Sequence, residues 1–419
     1  MTFASLGLID SLLSALDTLG YRTPTPVQAQ SIPAVLAGRD LLAAAQTGTG
    51  KTAGFALPLL QRLVMEGPQV SSNCVRALVL VPTRELAEQV HQSFQKYGAA
   101  VPLRTMVAYG GVSINPQMMR LRKGVDLMVA TPGRLLDLQR QNAVRFNQVT
   151  TLVLDEADRM LDLGFARELD QVFALLPKQR QTLLFSATFS DEIRAMAAKL
   201  LREPLTIDVA PRNVAAKTVT QSVITVDKKR KPELFLHLYQ RRQWKQVLVF
   251  AKTRKGVDEL VDRLQAARIA ADSIHGDKPQ PARLRALERF KAGEVDVLVA
   301  TDVAARGLDI HDLPLVVNYD LPIVAEDYVH RIGRTGRAGA SGEALSLVCA
   351  DEAPQLGAIE ALTRQTLKRS EEPGYQAAHR VPETNAKGEL VKKPKKPKKS
   401  KAERMPGVEV KEDVRFRCP

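Results

Sequence analysis

Two adjoining stretches, Leu41-Leu42-Ala43-Ala44-Ala45 and Gly48-Thr49-Gly50-Lys51-Thr52, decide the fold of this 419-residue chain. The first is an apolar run typical of a buried strand, and the second is a glycine-rich loop that leads into a helical pattern. Glycines let backbone N–H groups turn toward a phosphate, Lys51 can reach the β- and γ-phosphates of a nucleotide, and the Thr52 hydroxyl can bind Mg²⁺. The order of strand, loop and helix therefore predicts a nucleotide site, although the usual pattern begins with glycine where this chain has Ala45. The alternative at this stage is a glycine-rich turn without chemistry.

Length and charge limit what can surround this loop. The chain is too long for one ordinary core and fits two domains. Its formal net charge of +14 and its pI near 9.7 favour a polyanionic partner. Half of that charge lies between Lys387 and Arg404, where nine basic residues face two acidic ones.

Cysteine and histidine placement argues against other classes of site. Cys74, Cys349 and Cys418 form no C-x-x-C pair, and the six histidines show no metal-binding spacing, so neither a disulfide framework nor a zinc site is expected. The N-terminus lacks a basic region before its apolar residues, and no window approaches 18 uncharged apolar residues. We expect a cytoplasmic protein with no membrane partner.

Strand-like and helical patterns alternate along two successive parts of the chain. After a helical pattern at residues 3–19, apolar runs at 76–81, 126–130, 151–154 and 182–185 each end in a polar cluster. A second series follows a loop-like stretch near 204–220, with runs at 223–226, 246–250, 272–275, 295–300, 315–318 and 344–348. This alternation predicts two α/β halves, each with a parallel sheet covered on both faces. Ligands of such sheets bind at the carboxyl ends of the strands.

Adjacent carboxylates stand at one of these strand ends. Leu152-Val153-Leu154 runs directly into Asp155-Glu156-Ala157-Asp158. In nucleotide-hydrolysing proteins with a phosphate loop, the acid at this position holds Mg²⁺ and a neighbouring group positions the attacking water. We assign Asp155 to the metal and Glu156 to the water, the alternative being a cluster that caps a helix.

The same four residues, 155–158, spell the name of the DEAD-box RNA helicases, and the chain resembles that family over about residues 3–370. Gly20-Tyr21-Arg22-Thr23-Pro24-Thr25-Pro26-Val27-Gln28 resembles the adenine-reading motif, with Phe3 at its isolated aromatic position. The resemblance implies that Gln28 hydrogen-bonds the adenine edge, an amide being both donor and acceptor, and that Tyr21 stacks on the adenine face. The implied ATP-binding residues are Tyr21, Thr23, Gln28, Ala45, Gln46, Thr47, Gly48, Thr49, Gly50, Lys51, Thr52, Gly307 and Asp309, with Thr52 and Asp155 as the Mg²⁺ ligands.

Further motifs resemble the RNA-contacting, coupling and arginine segments of the family. The first group comprises 82–87, Gly110-Gly111 and 131–134, whose glycines, helix N-termini and arginines suit a sugar-phosphate backbone. The implied RNA contacts are Arg84, Gly110, Gly111, Thr131, Arg134 and Thr301. Asp158, Ser186 and Thr188 form the implied coupling set. Lys51, Asp155, Glu156, Arg334 and Arg337 form the implied catalytic set, the two arginines acting on phosphoryl oxygens.

The resemblance implies an α/β fold with two tandem RecA-like parallel-sheet domains, a nucleotide cleft between them and a disordered basic C-terminal tail. We expect an adenine-reading helix and loop at 1–30, an ATP-binding domain at 31–206, a linker at 207–219, a C-terminal helicase domain at 220–375 and a Lys/Pro-rich tail at 376–419. Within the family, several segments resemble the bacterial RhlE-type subgroup. The chain departs from that subgroup at Glu372-Pro373-Gly374-Tyr375, where an isoleucine-proline step is more usual.

The implied function is that of an ATP-dependent RNA helicase. Its lobes would close around ATP and single-stranded RNA, unwind short duplexes locally or remodel RNA–protein complexes, and be released by hydrolysis. RNA would be held mainly by its backbone, the tail would add non-specific RNA affinity, and candidate protein partners belong to ribosome assembly or RNA decay. Two alternatives remain open at this stage: a DNA helicase or translocase, and an ATP-gated RNA clamp that hardly turns over.

Overall fold

The computed structural model describes residues 2–45, 49–65, 67, 70–208, 219–305, 310, 312–336, 342–384 and 389. Six of the residues that the sequence analysis assigned to the site lie outside this described part, namely Gln46, Thr47, Gly48, Gly307, Asp309 and Arg337. The described residues form two lobes, which we call lobe 1 (to residue 208) and lobe 2 (from residue 219). None of the described helices is long and apolar enough to cross a membrane.

Lobe 1 contains a sheet in which all seven strands run parallel, with the order β3-β4-β2-β5-β6-β1-β7. Its strands are β1 Leu41–Ala44, β2 Val75–Leu80, β3 Thr105–Ala108, β4 Val125–Ala130, β5 Thr151–Leu154, β6 Gln181–Ser186 and β7 Leu205–Asp208. Its helices are α1 Asp10–Thr18, α2 Pro26–Leu36, α3 Lys51–Met65, α4 Arg84–Tyr97, α5 Asn115–Leu121, α6 Pro132–Arg140, α7 Ala157–Asp162, α8 Ala166–Leu175 and α9 Asp191–Leu200.

Lobe 2 repeats this topology with the strand order β10-β11-β9-β12-β13-β8-β14, again parallel throughout. Its strands are β8 Val219–Thr225, β9 Val247–Phe250, β10 Ala271–Ile274, β11 Val297–Ala300, β12 Leu315–Asn318, β13 Gly342–Val348 and β14 Lys368–Ser370. Its helices are α10 Lys231–Arg242, α11 Arg254–Ala266, α12 Gln280–Lys291, α13 Asp302–Ala305, α14 Ala325–Ile332 and α15 Ala353–Thr363.

Helices cover both faces of each sheet, which explains the unbroken apolar runs of the central strands. In β2, for example, Val79 packs into the core on one face while Leu78 packs into the core on the other. Both side chains are fully buried. Alternating side chains of one strand therefore serve two separate cores, and the polar groups are left for the strand ends.

The predicted strands are confirmed to within a few residues at their ends, but three strands were missed. The strand β3 is only half-buried and β14 has three residues, so neither shows a continuous apolar run. The strand β7 falls in the stretch predicted as loop and linker, where it pairs with β1 at the sheet edge. The helix predicted at 3–19 is wrong in extent, because a 3₁₀ turn at Ala4–Leu6 precedes α1.

Residues 371–384, which we call the strap, pack on lobe 2 although residues from 376 onward were assigned to the tail. Glu372 accepts hydrogen bonds from His237 and Arg241, and the Tyr375 ring lies 5.2 Å from the His237 ring. Further along, Asp227 accepts a hydrogen bond from the Ala378 N–H at 3.0 Å. The unusual glutamate at 372 is therefore a buried anchor of the strap.

Candidate active site and nucleic-acid edge

The strand order of lobe 1 divides the predicted site residues into two groups. The strands β3, β4 and β2 are neighbours, and the predicted RNA contacts follow their carboxyl ends at 110–111, 131–134 and 84. The strands β5, β6 and β1 are also neighbours, and the predicted ATP and coupling residues follow them. One sheet therefore carries a candidate nucleic-acid edge beside a candidate nucleotide site.

At the nucleotide site, Gln28 joins the predicted adenine-reading helix α2 to the phosphate loop. Its Nε2 donates to the Gly50 carbonyl at 3.1 Å, and its Oε1 accepts from the Thr25 N–H at 2.9 Å. Thr25 in turn caps α2. Gly50 has a φ of +86°, and a Cβ there would collide with the Gln28 amide. Glycine at 50 is therefore required by both backbone conformation and space.

The predicted stacking residue Tyr21 stands at the surface beside this helix. Its ring meets Phe3 edge to face at 6.5 Å, and its hydroxyl lies 3.2 Å from that of Tyr97. Tyr21 is 37% exposed, so part of the ring is accessible to a ligand. Thr23 is also exposed.

Lys51 and Asp155 face each other in the buried interior of the site. Lys51 Nζ lies 3.9 Å from Asp155 Oδ1, and within the described part of the chain it has no hydrogen-bond partner. Burial raises the pKa of Asp155 to about 6, against the opposing effect of the Lys51 charge. Asp155 therefore lacks positive charge, which a metal ion would supply, and Lys51 lacks hydrogen-bond acceptors, which a phosphate would supply. Carboxylate and hydroxyl oxygens such as those of Asp155 and Thr52 suit Mg²⁺.

Glu156 adopts a backbone conformation that is rare outside glycine, with φ 54° and ψ 53°. Its Oε2 is buried and finds no hydrogen-bond partner among the residues that the structure describes. Arg159 Nε lies 4.0 Å from this oxygen. A strained, unsatisfied carboxylate at the end of β5 fits a residue that acts on a ligand.

Asp158 connects the acidic segment with the segment after β6. Its Oδ2 accepts from the backbone N–H groups of Ala187 and Thr188, at 3.0 and 3.1 Å, and from the Thr188 hydroxyl at 3.2 Å. Ser186 Oγ also accepts from the Thr188 N–H, at 3.3 Å. The three predicted coupling residues are thus brought together in one hydrogen-bonded cluster.

The candidate nucleic-acid edge is built around Arg84. Gly111 has a φ of +78°, and any Cβ there would collide with the Arg84 guanidinium. Arg134 is buried and donates to the Val112 carbonyl at 2.9 Å. Burial lowers the pKa of Arg134, and the nearby charge of Arg84 lowers it further. Two arginines are therefore crowded behind a glycine turn, an arrangement that suits the binding of an anion.

In lobe 2 the short helix α14 is fixed through Arg331. Its guanidinium forms a two-bond pair with Asp302 at 2.6 and 2.7 Å and donates to Asn318 at 3.0 Å. Arg334 follows one turn later, is buried, and lines a small cavity beside Asp302 and Arg331. Thr301, the predicted RNA contact, is buried at the end of β11. The strand β11 holds the same place in the strand order of lobe 2 as β4 holds in lobe 1, so Thr301 corresponds in position to the residues that follow β4.

The two lobes contact each other through these strand ends. Arg283 Nη2 on α12 lies 2.8 Å from Glu85 Oε1 on α4, and both side chains are at least nine-tenths buried. On the nucleotide side, His330 keeps part of its surface exposed, but protein atoms of the cleft surround its ring and lower its pKa. The negative charge of the Asp158 carboxylate in lobe 1 opposes this shift.

Several of these residues were missed by sequence reasoning. Glu85 and Arg283 are separated by almost 200 residues, and no local pattern links them. His330 and Arg331 lie just before Arg334 in the sequence and were given no role, and Arg159 directly follows the acidic segment. Only Arg159 carried a usable signal, because its spacing of three from Glu156 puts both on one helix face.

Two family models match the two lobes. Residues 25–196 match the model described as DEAD/DEAH box helicase, and residues 230–339 match the helicase conserved C-terminal domain. A DEAD-box ATP-dependent RNA helicase, CshA of Bacillus cereus, is 43% identical over 372 residues, which cover 89% of this chain and 70% of that protein. The chain belongs to the DEAD-box ATP-dependent RNA helicases.

RNA-stimulated ATP hydrolysis is the activity that comes with this membership. Among solved structures, Dbp5 of Saccharomyces cerevisiae bound to RNA and ADP BeF3 matches the helicase with a TM-score of 0.76 and 31% identity, covering 88% of this chain and 95% of that one. A DEAD box protein from Methanococcus jannaschii matches with a TM-score of 0.51 and 36% identity, covering 88% and 99%. These matches confirm two tandem RecA-like domains. The bacterial relative carries the name CshA, and the RhlE-type subgroup stays a prediction.

Proposed function

We propose that this helicase closes its lobes around ATP and single-stranded RNA, separates short duplexes locally or remodels RNA–protein complexes, and reopens after hydrolysis. The observation that supports this most is the contact between the lobes beside the nucleic-acid edge. Arg283 pairs with Glu85 beside the nucleic-acid edge, and beside the nucleotide site the charge of Asp158 in lobe 1 raises the pKa of His330 in lobe 2 against the larger effect of burial. A ligand held at either edge would thus add to the same closed arrangement.

For ATP, Gln28 and Tyr21 are proposed to bind adenine, and Lys51 to bind the phosphates. Asp155 and Thr52 are the residues that would hold Mg²⁺, which when bound neutralises charge on the phosphate oxygens. Glu156 is proposed to orient the attacking water and accept its proton.

Lobe 2 is proposed to supply the cations that stabilise the charge of the reacting phosphoryl group, namely Arg334 and Arg337. Arg334 is held one turn after the anchored Arg331. Because the phosphate-binding groups lie on lobe 1 and these arginines on lobe 2, neither lobe alone is expected to hydrolyse ATP efficiently.

RNA is proposed to lie along the β2, β3 and β4 ends of lobe 1 and the Thr301 segment of lobe 2. The groups available there are guanidinium, hydroxyl and backbone N–H, which suit phosphate and sugar rather than base edges. Little sequence preference is therefore expected from the core. The basic tail, which lies largely outside the described residues, is expected to add non-specific affinity.

The comparisons support a closed arrangement. The Methanococcus protein is more identical in sequence than Dbp5, yet Dbp5 bound to RNA and ADP BeF3 superposes better over the same share of this chain. A difference of this kind is expected when the same two domains are arranged differently. Since each ligand would favour closure, ATP and RNA should tighten each other's binding by the same factor.

The test is the exchange of Glu156 for glutamine in the full chain. Glu156→Gln should slow RNA-stimulated ATP turnover by about 10²- to 10⁴-fold, because the proton acceptor is lost, with ATP and RNA affinities nearly unchanged. Asp170→Asn, an exposed carboxylate on α8, is the matched control. Unchanged turnover in Glu156→Gln would remove that residue from its role.

The same assay separates the alternatives. Equal stimulation of the ATPase by RNA and by DNA of matching sequence would favour a DNA translocase. A protein that binds RNA in an ATP-dependent way but completes only one turnover would favour a clamp. The proposal is supported if ATP binding suffices for duplex separation and hydrolysis is needed only to release the RNA strand.

A further inference from the structure

Two parallel hydrogen bonds join the helix α2 to the phosphate-loop helix α3. Besides the bond from Gln28 to the Gly50 carbonyl, Ser31 Oγ donates to the Gly54 carbonyl at 3.1 Å. Ser31 lies one turn after Gln28, and Gly54 one turn after Gly50. The second bond therefore fixes the same register between the helices as the first.

The Gly54 carbonyl is available because of a proline. In an α-helix this carbonyl would accept from the N–H of residue 58, but position 58 inside α3 is Pro58, which has no N–H. Buried carbonyls need a donor, and the hydroxyl of Ser31 provides it. Because Pro58 cannot donate to it, the Gly54 carbonyl of α3 accepts a hydrogen bond from Ser31 of α2 instead.

The contact is also close and enclosed. Ser31 is fully buried, and a Cβ at Gly54 would lie only 2.7 Å from Ser31 Oγ. The missing side chain of Gly54 is what lets the two helix backbones approach each other. A change of either residue is therefore expected to shift α2 against α3 rather than to leave the register intact.

We propose that Ser31 is a positioning residue which, with Gly54 and Pro58, sets the distance between the adenine-reading helix and the phosphate loop, and so contributes to the choice of adenine over other nucleotides. This inference rests on the proposed role of Gln28. A base is read by hydrogen bonds that fail over a few tenths of an ångström. A phosphate held by Lys51 and backbone N–H groups tolerates larger displacements. A shift of α2 against α3 should therefore reduce the preference for adenine before it weakens phosphate binding.

The first experiment measures RNA-stimulated kcat/KM for ATP and for GTP in Ser31→Ala. The ratio of the two should fall about 3- to 10-fold, the factor that one hydrogen bond supplies, with kcat at saturating ATP nearly unchanged. Thr363→Ala is the control, because its buried hydroxyl also donates to a helix carbonyl, that of Ile359 at 2.8 Å, in lobe 2. Equal losses for ATP and GTP in Ser31→Ala would overturn the proposal.

A second variant separates positioning from stability. In Ser31→Ala with Pro58→Ala, residue 58 regains an N–H for the Gly54 carbonyl, so thermal stability should recover while the ATP to GTP ratio stays low. Recovery of both would mean that Ser31 only satisfies a carbonyl, which would overturn the proposal.

A third set of variants tests the close approach. Gly54→Ala should destabilise the protein and lower the ATP to GTP ratio, because its Cβ meets Ser31 Oγ. In the double variant with Ser31→Ala that obstacle is gone, since the new Cβ would lie 3.8 Å from the Cβ of residue 31. Stability should then exceed that of Gly54→Ala alone, and no recovery would contradict the packing argument.

Gln28→Ala distinguishes failure of this inference from failure of the proposed function. If Gln28→Ala leaves the ATP to GTP ratio unchanged, α2 does not read adenine and both fail. If Gln28→Ala lowers the ratio while Ser31→Ala does not, only the role of Ser31 is rejected.

Discussion

The two lobes share one topology, and each places a buried lysine beside an aspartate at the same position of the fold. In lobe 1, Lys51 begins the helix after the first strand and lies 3.9 Å from Asp155, which follows the fifth strand. In lobe 2, Lys231 begins the helix after the first strand and lies 3.2 Å from Asp320, close after the fifth. The difference lies in how completely each lysine is bound.

Lys231 is fully bonded within its own lobe. Its Nζ donates to Asp320, to the Tyr319 carbonyl at 2.7 Å and to Glu352 at 2.7 Å. Lys51 Nζ has no hydrogen-bond partner in the part of the chain that the structure describes. The same topology thus carries a closed structural pair in one lobe and an open pair in the other, which shows that the residues, and not the fold, assign the chemistry.

The largest expected effect comes from removing each lysine in turn. Lys51→Ala should lower ATP turnover by about 10²-fold or more, because its charge acts on the phosphates, while thermal stability barely changes. Lys231→Ala should instead destabilise the protein by about 3 kcal/mol, because the bonds of its buried ammonium group are lost and the half-buried Asp320 and Glu352 lose this counter-charge. Denaturant unfolding and ATPase assays of both variants provide the check. A similar stability loss in both would remove the distinction between the lobes.

A smaller effect is expected where the lobes meet, at Glu85 and Arg283. Arg283→Ala should weaken ATP-dependent RNA binding about tenfold, because closure would leave the Glu85 carboxylate buried without its partner. Arg289→Ala on the same helix is the control, since Arg289 pairs with Asp272 and Glu294 inside lobe 2. Fluorescence anisotropy with labelled RNA, with and without a non-hydrolysable ATP analogue, measures the change. An equal loss without nucleotide would show that Arg283 does not act through closure.

A third prediction concerns the nucleic-acid edge of lobe 1. Gly111→Ala should weaken RNA binding about threefold to tenfold, because its Cβ displaces Arg84 and its φ is positive. Gly164→Ala is the control, because Gly164 has a φ of +82° with nothing within 4 Å of a Cβ. Both should lose similar stability, and only Gly111→Ala should lose RNA affinity. Equal RNA affinities of the two variants would show that RNA does not bind at this edge.

The smallest effect is the pH dependence of stability that Asp155 causes. Its raised pKa, about 6, means that the folded protein holds this proton more tightly than the unfolded chain does. The free energy of unfolding therefore falls as pH rises from about 4 to about 6, and it stays at the lower value at higher pH. At pH 7.5, Asp155→Asn should be more stable than the parent by about 1 kcal/mol. The gain is limited because the substitution also removes the negative charge beside Lys51. The advantage should vanish near pH 4, as urea unfolding at both pH values would show.

Much of the fold and of the nucleotide site could be predicted because their signals are local. An apolar run of strand length, a glycine loop and a pair of acids each occupy a few consecutive residues, and parallel sheets gather such strand ends at one edge. The strands β7 and β14 escaped detection because short edge strands lack that signal. The strap escaped it because Glu372 reads as a surface residue until Arg241 and His237 are placed against it.

The sequence by itself determined that this chain is a DEAD-box ATP-dependent RNA helicase with a phosphate loop, an acidic pair and two parallel α/β halves. Only the tertiary structure decided which polar groups are already bonded. Nothing in the basic run 228–231 marks Lys231 as a buried residue, yet Glu352 reaches it over 121 residues. Ser31 finds Gly54 in the same way, because a proline four residues on leaves a carbonyl open. Such pairings depend on strand order and helix packing, which no local pattern encodes, because contacts between distant segments form only when the core brings them together.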